Sequence, residues 1–323
     1  MTFGSDPGTF TEDGGLERVV LRPVLFARGH PAHPMGGGLL SATAGATIVH
    51  VHQMRSAPSR VGALAALVRG QRRVVTDHGL GGGGWGGLLP RLFDLFACVS
   101  RYSAQTLGAP EPKTRVIYGG ADTDRYRPGH EARAGVLFVG RLTPHKGVDK
   151  LIEALPADAS LTVCGTSGHD RDQPESTYPG VLRGLARGRA VTFRQQIPDD
   201  ELAVLYRRAA VFVLPSVHQT RFGRRVGISE LLGLSALEAM ASATPVVCTR
   251  IGGLSEVVRD GETGFVVAPG DVAELRDRIA TLLREPALAR QMGEAARRRV
   301  LECFTWERCA RRCVDLYREL EAR

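Results

Sequence analysis

The chain has 323 residues, more than a single hydrophobic core comfortably holds, so two domains are the first expectation. Hydrophobic residues make up 43% and charged residues 24%, and no apolar run approaches the roughly 20 residues of a membrane helix, so no bilayer-spanning segment is expected. The 42 basic residues outnumber the 34 acidic ones, giving a net charge of +8 that suits phosphates, nucleic acid or an acidic membrane surface alike; with 6% aromatics and no aromatic-interleaved basic stripe, nucleic acid is disfavoured as a partner.

The opening "MTFGSDPGTFTEDGG" lacks the basic and apolar regions of a signal peptide, so the chain reads as cytoplasmic. Pro23 interrupts any helix starting at "GGLERVV", and "LERVVLRPVLF" reads as a strand. Short β-branched runs then alternate with helical patterns: "ATIVHVH" (Ala46 to His52), the helical "SRVGALAALVRG", "RRVVTDHG" (Arg72 to Gly79), "FACVS" (Phe96 to Ser100) and "TRVIYGG" (Thr114 to Gly120). Such alternation predicts a parallel sheet covered by helices. The stretch Ala121 to Gly135, rich in Pro, Gly and charge, reads as a linker.

A second series follows, with strands in "GVLFVGRL" (Gly135 to Leu142), "ASLTVCG" (Ala159 to Gly165), "AVTFRQQI" (Ala190 to Ile197), "AVFVLPS" (Ala210 to Ser216), "TPVVCTRIGG" (Thr244 to Gly253) and "TGFVVAPGD" (Thr263 to Asp271). The fold class is therefore α/β, with two Rossmann-like, doubly wound parallel sheets in tandem facing a cleft where ligands bind. The expected divisions are 1–128, 129–304 and a C-terminal helix over 305–323 that crosses back toward the first domain, with Cys309, Cys313, Leu316 and Leu320 on its apolar stripe. None of the six cysteines forms a CxxC pair; they read as reduced thiols, and Cys309 with Cys313 lacks a third ligand at zinc spacing.

Three stretches carry chemistry. In "GRLTPHKG" (Gly140 to Gly147), Arg141 and Lys146 stand between a strand and a helix whose free N–H groups suit a diphosphate; a plain basic loop has the same spacing. Gly252 and Gly253 follow a strand, where backbone can approach a ligand closely or simply turn sharply. "SELLGLSALEAMASATPVV" (Ser229 to Val247) sets Glu230 and Glu238 eight positions apart, about 80° and 12 Å apart on a continuous helix, too far for an acid/base pair. Ser235 to Glu238 also has capping-box spacing, which would make Glu238 a helix-start residue.

The stretches "GRLTPHKGVDKLIEAL", "IPDDELAVLYRRAAVFVLPS", "ELLGLSALEAMASATPVV" and "GGLSEVVRDGETGFVVAPGD", in that order, resemble the donor-binding domain of the family-four retaining glycosyltransferases of GT-B architecture, and "FTWERCARRCVDLYREL" fits their terminal helix. The resemblance implies transfer of a sugar, with retention and without a metal, from a UDP-, GDP- or ADP-sugar to a carbohydrate, lipid or small-molecule acceptor; no cofactor is implied beyond that donor substrate. On the family pattern Arg141 and Lys146 hold the diphosphate, Glu230 touches the donor sugar and Glu238 binds the ribose. Backbone N–H groups of Leu232, Gly233 and Leu234 meet sugar and phosphate, Gly253 borders the donor, and His78 faces the sugar from the acceptor side. His50 and His52 read as structural, and Asp122 and Asp124 as turn residues.

Several positions depart from that pattern. Ala243 and Gln195 stand at customary glycines, Ser255 at a customary proline, and Tyr118-Gly119 where Pro-Asn is usual. The basic stretch Val217 to Ser229, with Arg221, Arg224 and Arg225, lengthens the loop before Glu230, either bordering the donor pocket or as an exposed insertion. "LERVVLRPVLF" is expected as a later strand of the first domain, which then lacks the family's first strand and glycine-rich loop. The alternatives are a catalytically weak nucleotide-sugar-binding protein or partner subunit, and a nucleotide-sugar 2-epimerase. With no GxGxxG after a first strand, an NAD-dependent oxidoreductase is disfavoured. Acceptor and oligomeric state stay open, and peripheral membrane association is compatible with the charge.

Overall fold

The computed structural model describes residues 2–3, 5–12, 16–26, 34–78, 87–108, 110–167, 174–227 and 230–323. It divides into two compact units, residues 1–117 with 313–323, and residues 118–312. The division falls after Ile117 rather than after Pro128, and the last helix contributes residues to both units.

In the first unit, β1 (Thr2–Phe3), β2 (Gly8–Glu12) and β3 (Leu16–Leu21) form a small sheet in the order β1-β3-β2. The strand expected at "LERVVLRPVLF" thus exists, but it ends at Leu21 and pairs antiparallel with β2 instead of joining the parallel sheet. β4 (Leu25–Phe26) and β5 (Pro34–Met35) pair antiparallel, followed by the short α1 (Leu39–Ala42). Next come β6 (Ile48–His52), α2 (Ala57–Val68), β7 (Arg72–Thr76), β8 (Leu95–Cys98), α3 (Arg101–Leu107) and β9 (Thr114–Val116). Their four strands form a parallel sheet in chain order, β6-β7-β8-β9. Ser56 caps α2 by accepting from the Ser59 N–H, and Ser100 and Ser103 close a reciprocal capping box on α3.

The second unit runs β10 (Val136–Val139), α4 (Val148–Ala154), β11 (Leu161–Cys164), α5 (Tyr178–Leu185), β12 (Val191–Arg194), α6 (Asp199–Arg208) and β13 (Val211–Leu214). It continues with α7 (Leu234–Ala241), β14 (Val246–Thr249), α8 (Leu254–Val257), β15 (Gly264–Val267), α9 (Val272–Arg284), α10 (Pro286–Cys303) and α11 (Trp306–Glu321). Its six parallel strands take the order β12-β11-β10-β13-β14-β15, the doubly wound pattern. Both faces of such a sheet are covered, which is why β13, β14 and β15 are buried at every position and read as unbroken apolar runs. The core centres on Phe138, Tyr178, Tyr206 and Phe212, all fully buried. Cys98, Cys164 and Cys248 are buried free thiols within strands, their pKa values pushed up by burial.

Local chemistry agrees with the helix ends. α6 opens on Asp199, Asp200 and Glu201 and closes on Arg207 and Arg208, matching the helix dipole. Asp271 caps α9, its Oδ1 accepting from the Glu274 N–H at 2.9 Å. Asp271→Ala should lower stability by about 1 kcal/mol, read as a fall of roughly 2–4 °C in Tm.

Ala243 sits at φ 55°, in the left-handed region, which accounts for the glycine customary there. Ala243→Gly should remove that strain, and chemical denaturation should report a gain of about 0.5–1 kcal/mol. The customary glycine at Gln195 has a different outcome: the left-handed residue is its neighbour Gln196, at φ 52°. Asp122 behaves as a turn residue, its Oδ1 accepting from the N–H groups of Asp124 and Arg125 at 3.1 and 3.0 Å.

Candidate active site

In a doubly wound sheet the strand order reverses between the two central strands, and the loops leaving them splay apart. Here those strands are β10 and β13. Arg141 leaves the end of β10, exposed, and lines a pocket of about 280 Å³ with Gly165, Thr166 and Gln196 from the ends of β11 and β12. One turn of tighter helix, Pro144–Lys146, then carries Lys146 back over the sheet edge. Lys146 Nζ is ion-paired with Glu230 Oε2, and the side chains are only 13% and 11% exposed. Ser216, just beyond β13, donates its hydroxyl to the same carboxylate oxygen at 3.4 Å. Two of the residues singled out by sequence, 84 positions apart, therefore meet in a nearly buried pair.

Glu230 does not share a helix with Glu238. α7 begins only at Leu234, with Gly233 in the left-handed conformation (φ 93°) as its N-cap, so the continuous-helix spacing does not apply. The backbone N–H groups of Leu232, Gly233 and Leu234 donate to no protein acceptor among the described residues. They are the unsatisfied donors of a helix start, which with the dipole favour an anion. Leu232 is buried and Leu234 is 46% exposed. Gly253 closes against this segment from behind: its N–H donates to Glu230 O at 3.3 Å, and a Cβ there would lie 2.1 Å from Leu231 O.

Glu238 lies past the first turn of α7 and forms no capping box; its Oε2 accepts the Tyr206 hydroxyl at 2.7 Å. Burial raises its pKa to about 7, opposed by that hydrogen bond and reinforced by Asp199. A carboxyl raised in this way costs the folded state nothing below about pH 4.5, where it is protonated folded or unfolded. The cost grows as pH rises to about 7 and is constant above, on the order of 3 kcal/mol in all. Glu238→Gln should therefore be more stable than the parent at pH 8 and lose that advantage at pH 4.5, measured by denaturation at both values.

His145, between Arg141 and Lys146 in sequence, has its pKa lowered to about 4, first by burial and then by the charges of Lys146, Arg141 and Arg224. The imidazole is neutral at neutral pH and stands in a cationic neighbourhood. Arg221, from the lengthened loop, instead turns to α4, pairing with Glu153 at 2.7 Å. His78 belongs to the first unit, where its Nε2 lies 3.0 Å from His52 Nδ1 with the rings stacked. His50 is structural, bonded to Tyr317 and Thr76 at 2.7 and 2.8 Å, whereas His52 is the partner of His78. Burial lowers the pKa of all three. No group of three or more His, Cys, Asp or Glu side chains among the described residues is arranged to hold a metal ion.

Sequence reasoning missed His145, Ser216 and Tyr206. Ser216 is the first polar residue after the buried β13 run, a position at the strand reversal, while Tyr206 is hidden in the apolar stripe of α6.

A doubly wound sheet whose reversal point gathers cations, a paired carboxylate and an open helix start has the chemistry suited to a phosphate-bearing ligand. Residues 122–299 match the sequence profile of the glycosyl transferases group 1 family. Alpha-maltose-1-phosphate synthase of Mycolicibacterium smegmatis is 30% identical over 332 residues, covering 86% of this chain and 80% of the relative. The same-named protein of Mycobacterium tuberculosis is 33% identical over 230 residues, 64% of this chain, which spans little more than half, 56%, of that relative's length. Among solved structures, sucrose-phosphate synthase from Thermosynechococcus elongatus superimposes with a TM-score of 0.73 at 25% identity, covering 98% of this chain and 86% of that one. The chain belongs to the glycosyl transferases group 1 family and has the GT-B fold.

Proposed function

We propose that the protein transfers a glycosyl group from a nucleotide-sugar donor to a hydroxyl acceptor, with retention of anomeric configuration and without a metal ion. The observation that carries this reading is the Lys146–Glu230 ion pair beside the open start of α7. In a nucleotide sugar the diphosphate and the sugar are joined at the anomeric carbon. A cation and a carboxylate held together suit the two sides of that bond, Lys146 facing phosphate and Glu230 facing sugar hydroxyls.

As the bond from the anomeric carbon to phosphate oxygen breaks, the leaving diphosphate gains charge. Arg141, Lys146 and the N–H groups of Leu232, Gly233 and Leu234 stabilise it without reorganising. The acceptor oxygen bonds to the anomeric carbon on the same face, and its proton passes to the departing phosphate oxygen. Glu238 accepts hydrogen bonds from the ribose hydroxyls, and His78, neutral, orients the acceptor. Tyr206 fixes the Glu238 carboxylate in place.

The matched relatives include synthases named for sugar-phosphate products, and the activity comes to this chain from that kinship and from the ion pair together. Melting shifts with UDP-, GDP- and ADP-sugars identify the nucleotide. Transfer to a panel of acceptors, with NMR of the product anomer and a chelator control, then tests retention and metal independence. A product of inverted configuration, or activity abolished by the chelator, overturns the corresponding part. Donor binding without turnover on any acceptor would leave a nucleotide-sugar-binding protein.

A further inference from the structure

A second pocket, of about 820 Å³, opens at the opposite edge of the same sheet. The segment 128–133 leading into β10, Ala210 before β13 and Pro245 before β14 line it from one side; Leu282 of α9 and Ala289 and Leu301 of α10 give it apolar walls. Arg141 and Lys146 lie beyond the other ends of these strands, so the two sites are separated by the thickness of the sheet edge to edge, roughly 13 Å for strands of this length.

Four arginines line the pocket, Arg133, Arg290, Arg297 and Arg298, against the carboxylates of Glu131 and Glu294. None of the four forms an ion pair among the described residues; Glu131 pairs through Oε1 with Arg207 at 2.8 Å, while its Oε2 is buried without a hydrogen-bond partner among the described residues. Arg133 donates only to neutral oxygens, Ala209 O at 3.2 Å, Ser242 O at 2.8 Å and Thr244 Oγ1. Arg297 likewise donates to Tyr126 O at 3.1 Å and to Ala241 O. Carbonyl oxygens orient a guanidinium without neutralising it; burial pushes the pKa of both groups down, opposed by the charge of Glu131 at Arg133 and of Asp124 at Arg297. Arg290 and Arg298, exposed on α10, add two further forks of the geometry that grips phosphate.

An apolar wall beside four guanidinium groups that form no ion pair among the described residues fits an anion with an apolar body. We propose that this pocket binds a small organic phosphate monoester, at a site separate from that of the nucleotide-sugar donor. The pocket shares no residue with the donor site, so binding there holds whether or not the donor reading does.

Isothermal titration of the full chain with phenyl phosphate, inorganic phosphate and phenol tests it. Saturable binding of phenyl phosphate is expected, tighter than that of inorganic phosphate, with none for phenol. Arg290→Ala with Arg298→Ala, both at exposed positions, should raise Kd at least about tenfold. Arg141→Ala with Lys146→Ala should leave it unchanged. The proposal is overturned if phenyl phosphate does not bind saturably, if inorganic phosphate or phenol binds equally well, if the first double variant binds like the parent, or if the second abolishes binding.

Discussion

Replacing Arg141 and Lys146 together by alanine should abolish donor-induced stabilisation and lower kcat/KM by at least about 10³-fold, since loss of a single preorganised donor to a developing charge costs roughly 10²–10³. The two side chains differ in state. Arg141 is exposed at the end of β10, while Lys146 is locked to Glu230 in a nearly buried pair. Lys146→Ala alone therefore does two things, removing a cation from the phosphate and leaving a carboxylate unpaired. Glu230→Gln separates them: it keeps the cation and leaves Lys146, rather than a carboxylate, as the unpaired charge, and under the proposed roles it weakens sugar contacts while the nucleoside diphosphate alone still binds. Melting shifts with the nucleoside diphosphate and with the nucleotide sugar, read for each variant, give the answer. An undiminished shift in the double variant would sink the phosphate assignment.

Much of the second unit was legible because its strands are buried on both faces, and a strand in that setting has little choice but to be apolar throughout. "VFVL" and "VVCT" announce themselves. The N-terminal region was less legible: "LERVVL" alternates as a strand does, yet its partner strand lies in "GTFTE", whose threonines and short length gave no apolar signal. Spacing likewise could place Glu230 and Glu238 in one segment but could not show that the helix starts only after Gly233, since a left-handed glycine and a helical one look alike in sequence. Nothing in the sequence sets Tyr206 apart from its apolar neighbours in α6; that its hydroxyl reaches Glu238 depends on how α6 packs against α7. The pairing of Lys146 with Glu230 is a consequence of the strand order, which brings the loops after β10 and β13 side by side.

Gly253→Ala, a change of one methyl group, should disable the site from behind. The φ of Gly253 is −75°, open to any residue, so the constraint is space alone. The added Cβ would stand 2.1 Å from Leu231 O, 2.9 Å from its carbonyl carbon and 3.0 Å from Leu232 Cα, all backbone atoms that cannot swing aside as a side-chain tip would. Overpacking of this kind costs about 1–3 kcal/mol, a fall of several degrees in Tm. The movement that relieves it displaces Glu230 through Leu232, the stretch that carries the carboxylate and an N–H donor of the proposed site. Activity and donor-induced stabilisation should therefore drop by far more than the loss of folded protein explains, measured below the variant's own Tm. Gly184→Ala is the matched control. It lies in α5 with nothing within 4 Å of its added methyl, and there the same change should raise stability by about 0.4–1 kcal/mol without altering donor binding. If Gly253→Ala were to bind donor as the parent does, the backbone of residues 230–232 would not be what holds the sugar-binding carboxylate in register with Lys146.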